Sequence, residues 1–110
     1  MRPATLLFRV AVAGRSMEPT FHDGDWLLVR QIRRTPCAGE LVVATDPREP
    51  ARLLVKRVRA VAGDGVTIQG DHPDPAASTD SRDFGPLPST AILGRPVLRY
   101  APLHRFGLVR

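Results

Sequence analysis

The sequence predicts an all-β protein in which small antiparallel sheets form a partly closed, barrel-like core. Apolar and polar residues alternate with period two, or form short β-branched runs, along most of the chain. The eleven prolines and nine glycines are spread over the 110 residues and act as turn signals, which argues against a helical bundle. A chain of this length predicts one domain, residues 1–110.

Six strands are predicted between these turn signals. They cover residues 6–12, 26–32, 40–45, 52–62, 66–69 and 91–100. Residues 14–20 are expected to form a turn or one short helical turn, because Pro19 limits anything longer. Residues 46–50, with two prolines, predict a hairpin loop, and Gly63-Asp64-Gly65 predicts a tight turn.

Two regions are expected to lie outside the regular sheet. Residues 70–88 form a long polar segment rich in Pro, Asp and Ser, and loops of this length inside a compact domain are usually functional or disordered. Residues 1–5 and 103–110 are expected to be loosely held, as chain ends commonly are.

The basic charge of the chain is a weak guide to its partners. The net charge is +5 and the sequence pI is about 10.9, which first suggests nucleic acid or an anionic membrane surface. However, the longest basic run is Arg33-Arg34, and six aromatic residues make a poor base-stacking platform. No nucleic-acid partner is therefore expected, although a non-catalytic basic β-domain that binds an anionic partner remains an alternative.

No metal or other cofactor is expected. The single cysteine, Cys37, excludes an internal disulfide and a cysteine-based zinc site. Asp71, His72 and Asp74 are close in sequence, but they lie in a proline-containing loop without a ligand cluster elsewhere.

The apolar stretch at residues 4–13 is broken by Arg9 and is too short to cross a bilayer, which needs about 20 apolar residues. It also lacks the layout of a signal peptide. The expectation is a cytoplasmic protein that associates at most peripherally with the inner face of a membrane.

The one lysine of the chain stands out against fifteen arginines. Lys56 lies in a predicted strand, where period-two alternation places it on the same side as Leu54, Val58 and Ala60. Among aliphatic side chains the pKa of an ammonium falls from about 10.4, and a neutral lysine is a usable general base. Arginine does not lose its proton in proteins. The alternative is a lysine whose stem packs on apolar surface while its head reaches water.

Ser16 is the best placed of the four serines to serve as a nucleophile for that base. Gly14 and Pro19 shape the backbone around it, and a short turn after a nucleophile directs backbone N–H groups at a developing oxyanion. Met17 and Phe21 are apolar and are expected to anchor the segment against the core. The alternative role for this serine is a helix N-cap.

Four blocks of sequence follow one another along most of the chain, from Gly14 to about Gly94. The blocks are Gly14-Arg15-Ser16-Met17-Glu18-Pro19-Thr20; Gly24-Asp25 with Trp26-Leu27-Leu28-Val29; Leu54-Val55-Lys56-Arg57-Val58 with Gly63-Asp64; and Gly70-Asp71-His72, Ser78-Thr79-Asp80-Ser81-Arg82 and Phe84-Gly85-Pro86. In this order they resemble the blocks of the signal peptidase I family. The resemblance implies the catalytic core of a signal peptidase and a serine endopeptidase with a Ser/Lys dyad.

The resemblance also implies a role for each matching residue. Ser16 attacks the scissile carbonyl and Lys56 is its base, while Ser78 orients the lysine amine. Asp80 and Arg82 form a supporting ion pair. The chain has Gly14 where some family members carry a second hydroxyl for the oxyanion hole, so a hole built from backbone alone is implied. A Pro-Asp-Pro-Ala stretch before Ser78 exceeds the usual spacing.

With no membrane anchor and no second domain expected, the short Arg-rich chain resembles the group of maturation proteases for nickel-type superoxide dismutase. That group implies a precursor-protein substrate whose N-terminal propeptide is removed. Two further alternatives are a general signal peptidase for exported preproteins and a self-cleaving repressor-type Ser/Lys protein. The latter is disfavoured because no helix-turn-helix segment is present. The oligomeric state is not predicted.

Overall fold

The computed structural model describes residues 6–109, and its eight strands confirm the all-β prediction. The strands are β1 (Leu7–Ala11), β2 (Trp26–Gln31), β3 (Leu41–Asp46), β4 (Glu49–Ala62), β5 (Gly65–Gln69), β6 (Leu87–Pro88), β7 (Ile92–Ala101) and β8 (Gly107–Leu108). One short helix, α1 (Ser81–Phe84), and 3-10 turns at Pro75–Ala77, Ser89–Ala91 and Leu103–Arg105 complete the regular structure of this region.

All the strands belong to one antiparallel sheet of order β1-β2-β7-β3-β4-β5-β6, with β8 added to β7. Closure is where the prediction of a partly closed barrel differs from the structure. Among the described residues no ladder joins β1 to β6, so the sheet is open. The reason is that β6 has only two residues, Leu87 and Pro88, which pair with β5. Such a short strand has almost no free edge with which β1 could pair.

The long strand β4 links the two halves of the sheet. Its first part pairs with β3, up to Arg57 opposite Leu41, and its second part pairs with β5, starting from Arg57 opposite Gln69. The register shifts between Val58 and Ala60, which marks a bulge in the second ladder. Lys56 therefore lies next to the residue at which β4 changes partners.

Two hydrophobic clusters cover opposite faces of β3. Leu41 and Val43 belong to the first cluster, whereas Val42 and Ala44 belong to the second. Successive side chains of a strand point to opposite faces, so β3 is buried on both sides. The first cluster also takes in Met17 and Phe21 from the segment after β1, and the second takes in Leu54, Val58 and Ile68.

The hairpin between β3 and β4 is tighter than predicted. The sequence predicted a loop over residues 46–50, but β3 runs to Asp46 and β4 begins at Glu49. The buried Asp46 carboxylate accepts the Arg48 N–H at 2.9 Å and its Nε–H at 3.3 Å, which closes a two-residue turn. The two prolines suggested a longer irregular segment because that capping contact is not visible in the pattern.

The long segment 70–88 is more ordered than the sequence suggested. The Pro-Asp-Pro-Ala stretch forms the 3-10 turn Pro75–Ala77, which Asp74 caps by accepting the Ala76 N–H at 3.0 Å. Helix α1 then begins with a capping box, in which the Asp80 side chain accepts the Arg82 N–H and Asp83 accepts the Asp80 N–H. Side-chain caps therefore order this loop through contacts among its own residues.

The segment after Pro102 also differs from the loosely held tail that was expected. It contains the 3-10 turn Leu103–Arg105 and strand β8, and the Val109 N–H donates to the Val97 carbonyl at 3.0 Å. The expectation for residues 1–5 and for position 110 lies outside the described residues. Within residues 6–109 no helix has the length and apolarity needed to cross a bilayer.

Asp25 connects the tail to the turn that follows β1. The carboxylate is fully buried and accepts Arg105 Nη2 at 2.6 Å and the His22 N–H at 2.8 Å, with Arg99 Nη1 at 3.5 Å. Arg99 also donates to the Thr20 carbonyl at 3.2 Å. Burial opposes the ionised form, but the His22 N–H and the two guanidinium groups outweigh it and hold the pKa of Asp25 below its usual range.

We expect Asp25→Asn to lower the free energy of unfolding at pH 7 by about 2 kcal/mol, because two partly exposed guanidinium groups lose the carboxylate that they share. Because the native pKa is lowered, the stabilisation exists above the unfolded-state pKa and is lost as pH falls through the native pKa. Urea unfolding of both proteins from pH 7 to pH 3 measures this, and the difference should shrink toward acid. Asp64→Asn, at an exposed aspartate that pairs with Ser89, is the control and should leave stability unchanged.

Candidate active site

Ser16 lies in the turn that follows β1, one position before the buried side chain of Met17. Gly14 opens the turn with φ at +81°, a left-handed conformation that favours glycine, and its N–H donates to Asp23 Oδ1 at 2.8 Å. The Phe21 N–H donates to the Met17 carbonyl at 2.9 Å, and both side chains are buried in the first cluster. The predicted anchoring by Met17 and Phe21 is present, so the serine sits on a turn fixed at both ends.

Lys56 reaches this turn from β4. Its side chain is on the same face as Leu54 and Val58, as the alternation predicted, and only 3% of the residue is exposed. Ala60, the third residue predicted on this side, lies beyond the bulge in β4 and is exposed. Lys56 Nζ lies 2.8 Å from Ser16 Oγ and 3.1 Å from Ser78 Oγ. The structure thus places one amine between two hydroxyls, away from bulk water.

This environment changes the acidity of the amine. Burial lowers the pKa of Lys56 from 10.5 to about 8. The nearby Asp80 carboxylate opposes the shift, while Arg52 and Arg82 add to it. A substantial fraction of the amine is therefore unprotonated at a pH only slightly above neutral, where an exposed lysine would be almost fully charged.

Ser78, Asp80 and Arg82 form a chain of contacts behind the amine. Ser78 Oγ donates to Asp80 Oδ2 at 2.8 Å, and Arg82 binds the same carboxylate with Nε at 3.0 Å and Nη2 at 2.7 Å. The Gly70 N–H donates to Asp80 Oδ2 at 3.0 Å. Although burial opposes ionisation, these donors hold the pKa of Asp80 well below its usual range. The carboxylate stays charged and fixes the direction of the Ser78 hydroxyl.

Gly70 allows the segment that carries Ser78 to pack closely against the turn that carries Ser16. A Cβ on Gly70 would lie 2.5 Å from both the Ser16 carbonyl oxygen and Ser78 Oγ, so only glycine fits between them. Two residues on, the His72 N–H donates to the Ser16 carbonyl at 2.9 Å. This close backbone approach sets the separation between Ser16 and Ser78.

All the residues that the sequence proposed for the site, Gly14, Ser16, Met17, Lys56, Ser78, Asp80 and Arg82, meet in this region. The Ser16 N–H has no hydrogen-bond acceptor within residues 6–109, and it remains available to an incoming oxyanion. No cluster of His, Cys, Asp or Glu in the described part of the chain has the arrangement of a metal site.

Comparison with known proteins identifies the family to which this chain belongs. The family described as "Signal peptidase, peptidase S26" matches residues 3–73, which include Ser16 and Lys56. The chain belongs to this family. It is accordingly a signal peptidase-type serine peptidase, and the resemblance predicted from the four blocks is confirmed.

Several mitochondrial inner membrane proteases are similar to this S26 peptidase over most of its length. Subunit 1 from Xenopus tropicalis is 35% identical over 121 residues, which cover 89% of this chain and 71% of the relative. The ATP-independent inner membrane protease subunit 1a from Arabidopsis thaliana is 34% identical, with 90% and 73% covered. Human subunit 1 is 30% identical, with 92% and 74% covered.

A cleft of about 190 Å³ opens beside Ser16 and Lys56 in the S26 peptidase. Residues 11–17 line one side and residues 52–56 the other, together with Ala77 and Thr79. Within the described ladders, β1 pairs only with β2, and the pairing of β4 with β5 begins at Arg57. The cleft thus lies between the end of β1 and the first part of β4, which each have a free edge, and such edges accept an added strand.

Sequence reasoning missed one part of the site, a network around Asp71. Arg57 binds the Asp71 carboxylate with Nε and Nη2, both at 2.8 Å, and Thr20 Oγ1 donates to the same group at 2.5 Å. Through Asp71 the network connects Arg57 of β4, the residue after Lys56, to Thr20 at the end of the turn that carries Ser16. Two signals were available in the sequence. Arg57 directly follows Lys56, so alternation places it on the opposite face of the strand, and Asp71 directly follows Gly70 in a matching block.

We expect Lys56→Met to raise the free energy of unfolding at pH 7 by about 1–3 kcal/mol, because a buried ammonium is replaced by an apolar chain of similar volume. The pKa of Lys56 is lowered in the native state, so the cost of charging is fully present below about pH 8 and disappears as pH rises toward the unfolded value of 10.5. Urea unfolding of both proteins at pH 7 and pH 10 measures the difference. An equal or lower stability of the variant at pH 7 would contradict a costly buried charge.

We expect Gly70→Ala to disrupt the site more than the fold. The added methyl group pushes the Ser16 carbonyl and the Ser78 hydroxyl apart, so cleavage of any good substrate should fall at least about 100-fold, as misplacement by about 1 Å can cause. Gly107→Ala, where a Cβ meets no atom within 4 Å, is the matched control. Full activity in Gly70→Ala would show that this approach does not position the serine.

Proposed function

We propose that this chain is a serine endopeptidase that removes an N-terminal leader or propeptide from a precursor protein, with Ser16 as nucleophile and Lys56 as general base. The observation that carries the proposal is the 2.8 Å separation of Lys56 Nζ and Ser16 Oγ in a site where the amine is almost fully buried. A base must lie within hydrogen-bond reach of the proton it removes and have a pKa near the working pH. The amine meets both requirements, since its pKa is about 8.

In the proposed acylation step, neutral Lys56 takes the proton of Ser16 Oγ while that oxygen attacks the scissile carbonyl carbon. The carbonyl oxygen becomes an oxyanion that the Ser16 N–H stabilises, because Gly14 supplies no hydroxyl. The lysine ammonium then gives its proton to the leaving amine, and the carbon–nitrogen bond breaks to leave an ester on Ser16. Water attacks this ester while Lys56 takes a proton from it. The carbon–oxygen bond to Ser16 then breaks, Lys56 returns the proton to Ser16 Oγ, and the carboxylic acid product leaves.

The supporting residues act on the amine rather than on the substrate. Ser78 Oγ is held by its hydrogen bond to Asp80 and accepts a hydrogen bond from Lys56. This contact directs the free electron pair of the Lys56 amine at Ser16. Arg82 offsets the charge of Asp80, which limits the increase that this carboxylate causes in the pKa of Lys56. In this role Ser78, Asp80 and Arg82 are positioning residues.

The cleft supports an extended substrate. A precursor segment that pairs with the free edge of residues 52–55, or with that of residues 11–14, passes beside Ser16 Oγ. Met17 fills the core beneath the turn and keeps that wall in place. Pairing of this kind binds a leader through its backbone, so the site tolerates different side chains along most of the segment.

The narrower candidate substrate is the precursor of a nickel superoxide dismutase, whose new N-terminus would be released by the cut. It rests on the resemblance of the arginine-rich chain to that group of maturation proteases. The names of the relatives favour a second candidate, because they are proteases of the mitochondrial inner membrane. That candidate is the processing of precursors at a membrane, and it places the enzyme at a membrane rather than in the cytoplasm.

We expect Ser16→Ala and Lys56→Arg each to reduce cleavage of a processed precursor by at least about 1,000-fold while secondary structure is retained, because dyad members act as one unit. Single-turnover cleavage, read by mass spectrometry of the new N-terminus, measures this. Ser89→Ala, at a serine bonded to exposed Asp64, is the control. Retained cleavage in either dyad variant would eliminate the mechanism. Salt-dependent anion binding without cleavage would favour the non-catalytic basic domain.

We expect log kcat/KM of the wild type to rise with a slope of about one as pH increases and to level off above about pH 8, because only the neutral amine is a base. The same single-turnover assay between pH 5.5 and pH 10 measures the profile. A rate that is flat over this range, or one that falls as the pH rises toward 8, contradicts lysine as the base.

The two candidate substrates are distinguished by a panel that contains a nickel superoxide dismutase precursor and exported preproteins with small residues before the cut. Cleavage of the first alone supports the maturation protease. Cleavage of the exported preproteins, enhanced by membrane vesicles, supports general processing.

A further inference from the structure

The cleft beside the dyad has an unbalanced charge. Three of its lining residues are ionisable, Arg15, Arg52 and Lys56, and all three are cations. No Asp or Glu is among the described residues that line it. Lys56 is occupied by the two serine hydroxyls, so the electrostatic character of the open part of the cleft comes from the two arginines.

Unlike most arginines of the described region, Arg52 has no Asp or Glu side chain within salt-bridge distance. Arg34, Arg48, Arg57, Arg82 and Arg105 each lie within 4.0 Å of an acidic side chain. Within residues 6–109 Arg52 forms neither a salt bridge nor a side-chain hydrogen bond, and it is exposed. The charge of Arg52 helps to lower the pKa of Asp46, but that carboxylate is already bonded to Arg48. Arg15 is weakly paired with Glu18 at 3.4 Å.

The position of Arg52 on β4 fixes where a substrate group would meet it. Arg52 and Lys56 both line the cleft and lie four residues apart, which corresponds to about 13 Å along a strand. A substrate in the extended conformation advances by about 3.3 Å per residue, so its fourth residue from the scissile bond comes level with Arg52. The free edge of residues 52–55 places that substrate segment alongside.

We propose that the cleft selects extended precursor segments that carry an Asp or Glu about four residues from the scissile bond, and that Arg52 is the specificity residue that binds this carboxylate. The inference rests on the proposed function, since it concerns the substrate of the same site. A guanidinium binds a carboxylate with two parallel hydrogen bonds, which adds direction to the attraction. Arg15, at the other wall, adds a second positive charge to the field in the cleft.

A library of random peptides identifies the position. The library is incubated with the wild-type peptidase, and the cut products are sequenced by mass spectrometry. We expect Asp and Glu to be enriched at one position roughly three to five residues from the cut. The sequence of the best-cleaved peptide is then synthesised in two forms, with Asp or with Asn at that position.

The two peptides should differ in kcat/KM by about fivefold at low ionic strength, in favour of Asp, and the ratio should decrease as salt is added. In Arg52→Gln the ratio should fall to about one, and Arg52→Lys should keep part of it. In Arg52→Glu a peptide with Lys at that position should become the better substrate. Arg33→Gln removes the same charge at an exposed position outside the cleft and should leave the ratio unchanged.

The ratio isolates recognition from catalysis. Removal of Arg52 also alters the acidity of Lys56, but this affects both peptides equally and cancels in the ratio. A wild-type ratio of about one, or an unchanged ratio in Arg52→Gln, overturns the inference while cleavage itself still supports the proposed function. If the wild type cuts no peptide faster than Ser16→Ala does, both the proposed function and this inference fail.

Discussion

The burial of one ammonium group on β4 is the constraint on which the rest of the site depends. A lysine that is 3% exposed makes the folded state less stable whenever it is charged, and the protein offsets this cost with the surrounding hydrophobic cluster. The same burial lowers the pKa of Lys56 to about 8, which makes the amine a usable base. A guanidinium stays protonated in proteins, so arginine, the residue at the other fifteen Lys or Arg positions, could not take this role at position 56.

The fold supplies the rigidity that this arrangement needs. Lys56 lies on a long strand that belongs to two ladders, Ser16 lies on a turn anchored by Met17 and Phe21, and Ser78 lies in a loop held by capping contacts. These segments are far apart in sequence. Three sets of contacts join the turn that carries Ser16 to other parts of the chain: the close packing of Gly70, the Asp71 network and the buried Asp25 cluster. A small open sheet can therefore hold two hydroxyls and an amine in fixed positions.

The sequence predicted much of this because the relevant signals are local. Alternation placed Lys56 with Leu54 and Val58, and Gly14 and Pro19 marked the turn around Ser16. What it missed depends on contacts between distant segments. Sheet closure depends on how many residues of β6 find a partner, and the order of segment 70–88 depends on Asp74 and Asp80 acting as caps. The roles of Asp71 and of Arg105 depend on side chains that meet only after folding, and no spacing rule identifies such pairs.

The acidity of Lys56 can be measured directly, since the chain contains one lysine. Protein labelled with ¹³C at the lysine Cε gives a single side-chain NMR signal, whose chemical shift reports protonation of the amine as the pH is changed. We predict a titration midpoint of about 8 in the folded protein and a return to about 10.4 when the same protein is unfolded in urea. A midpoint of about 10.4 in the folded protein would contradict the central claim, because the amine would then be charged and unable to accept the proton of Ser16.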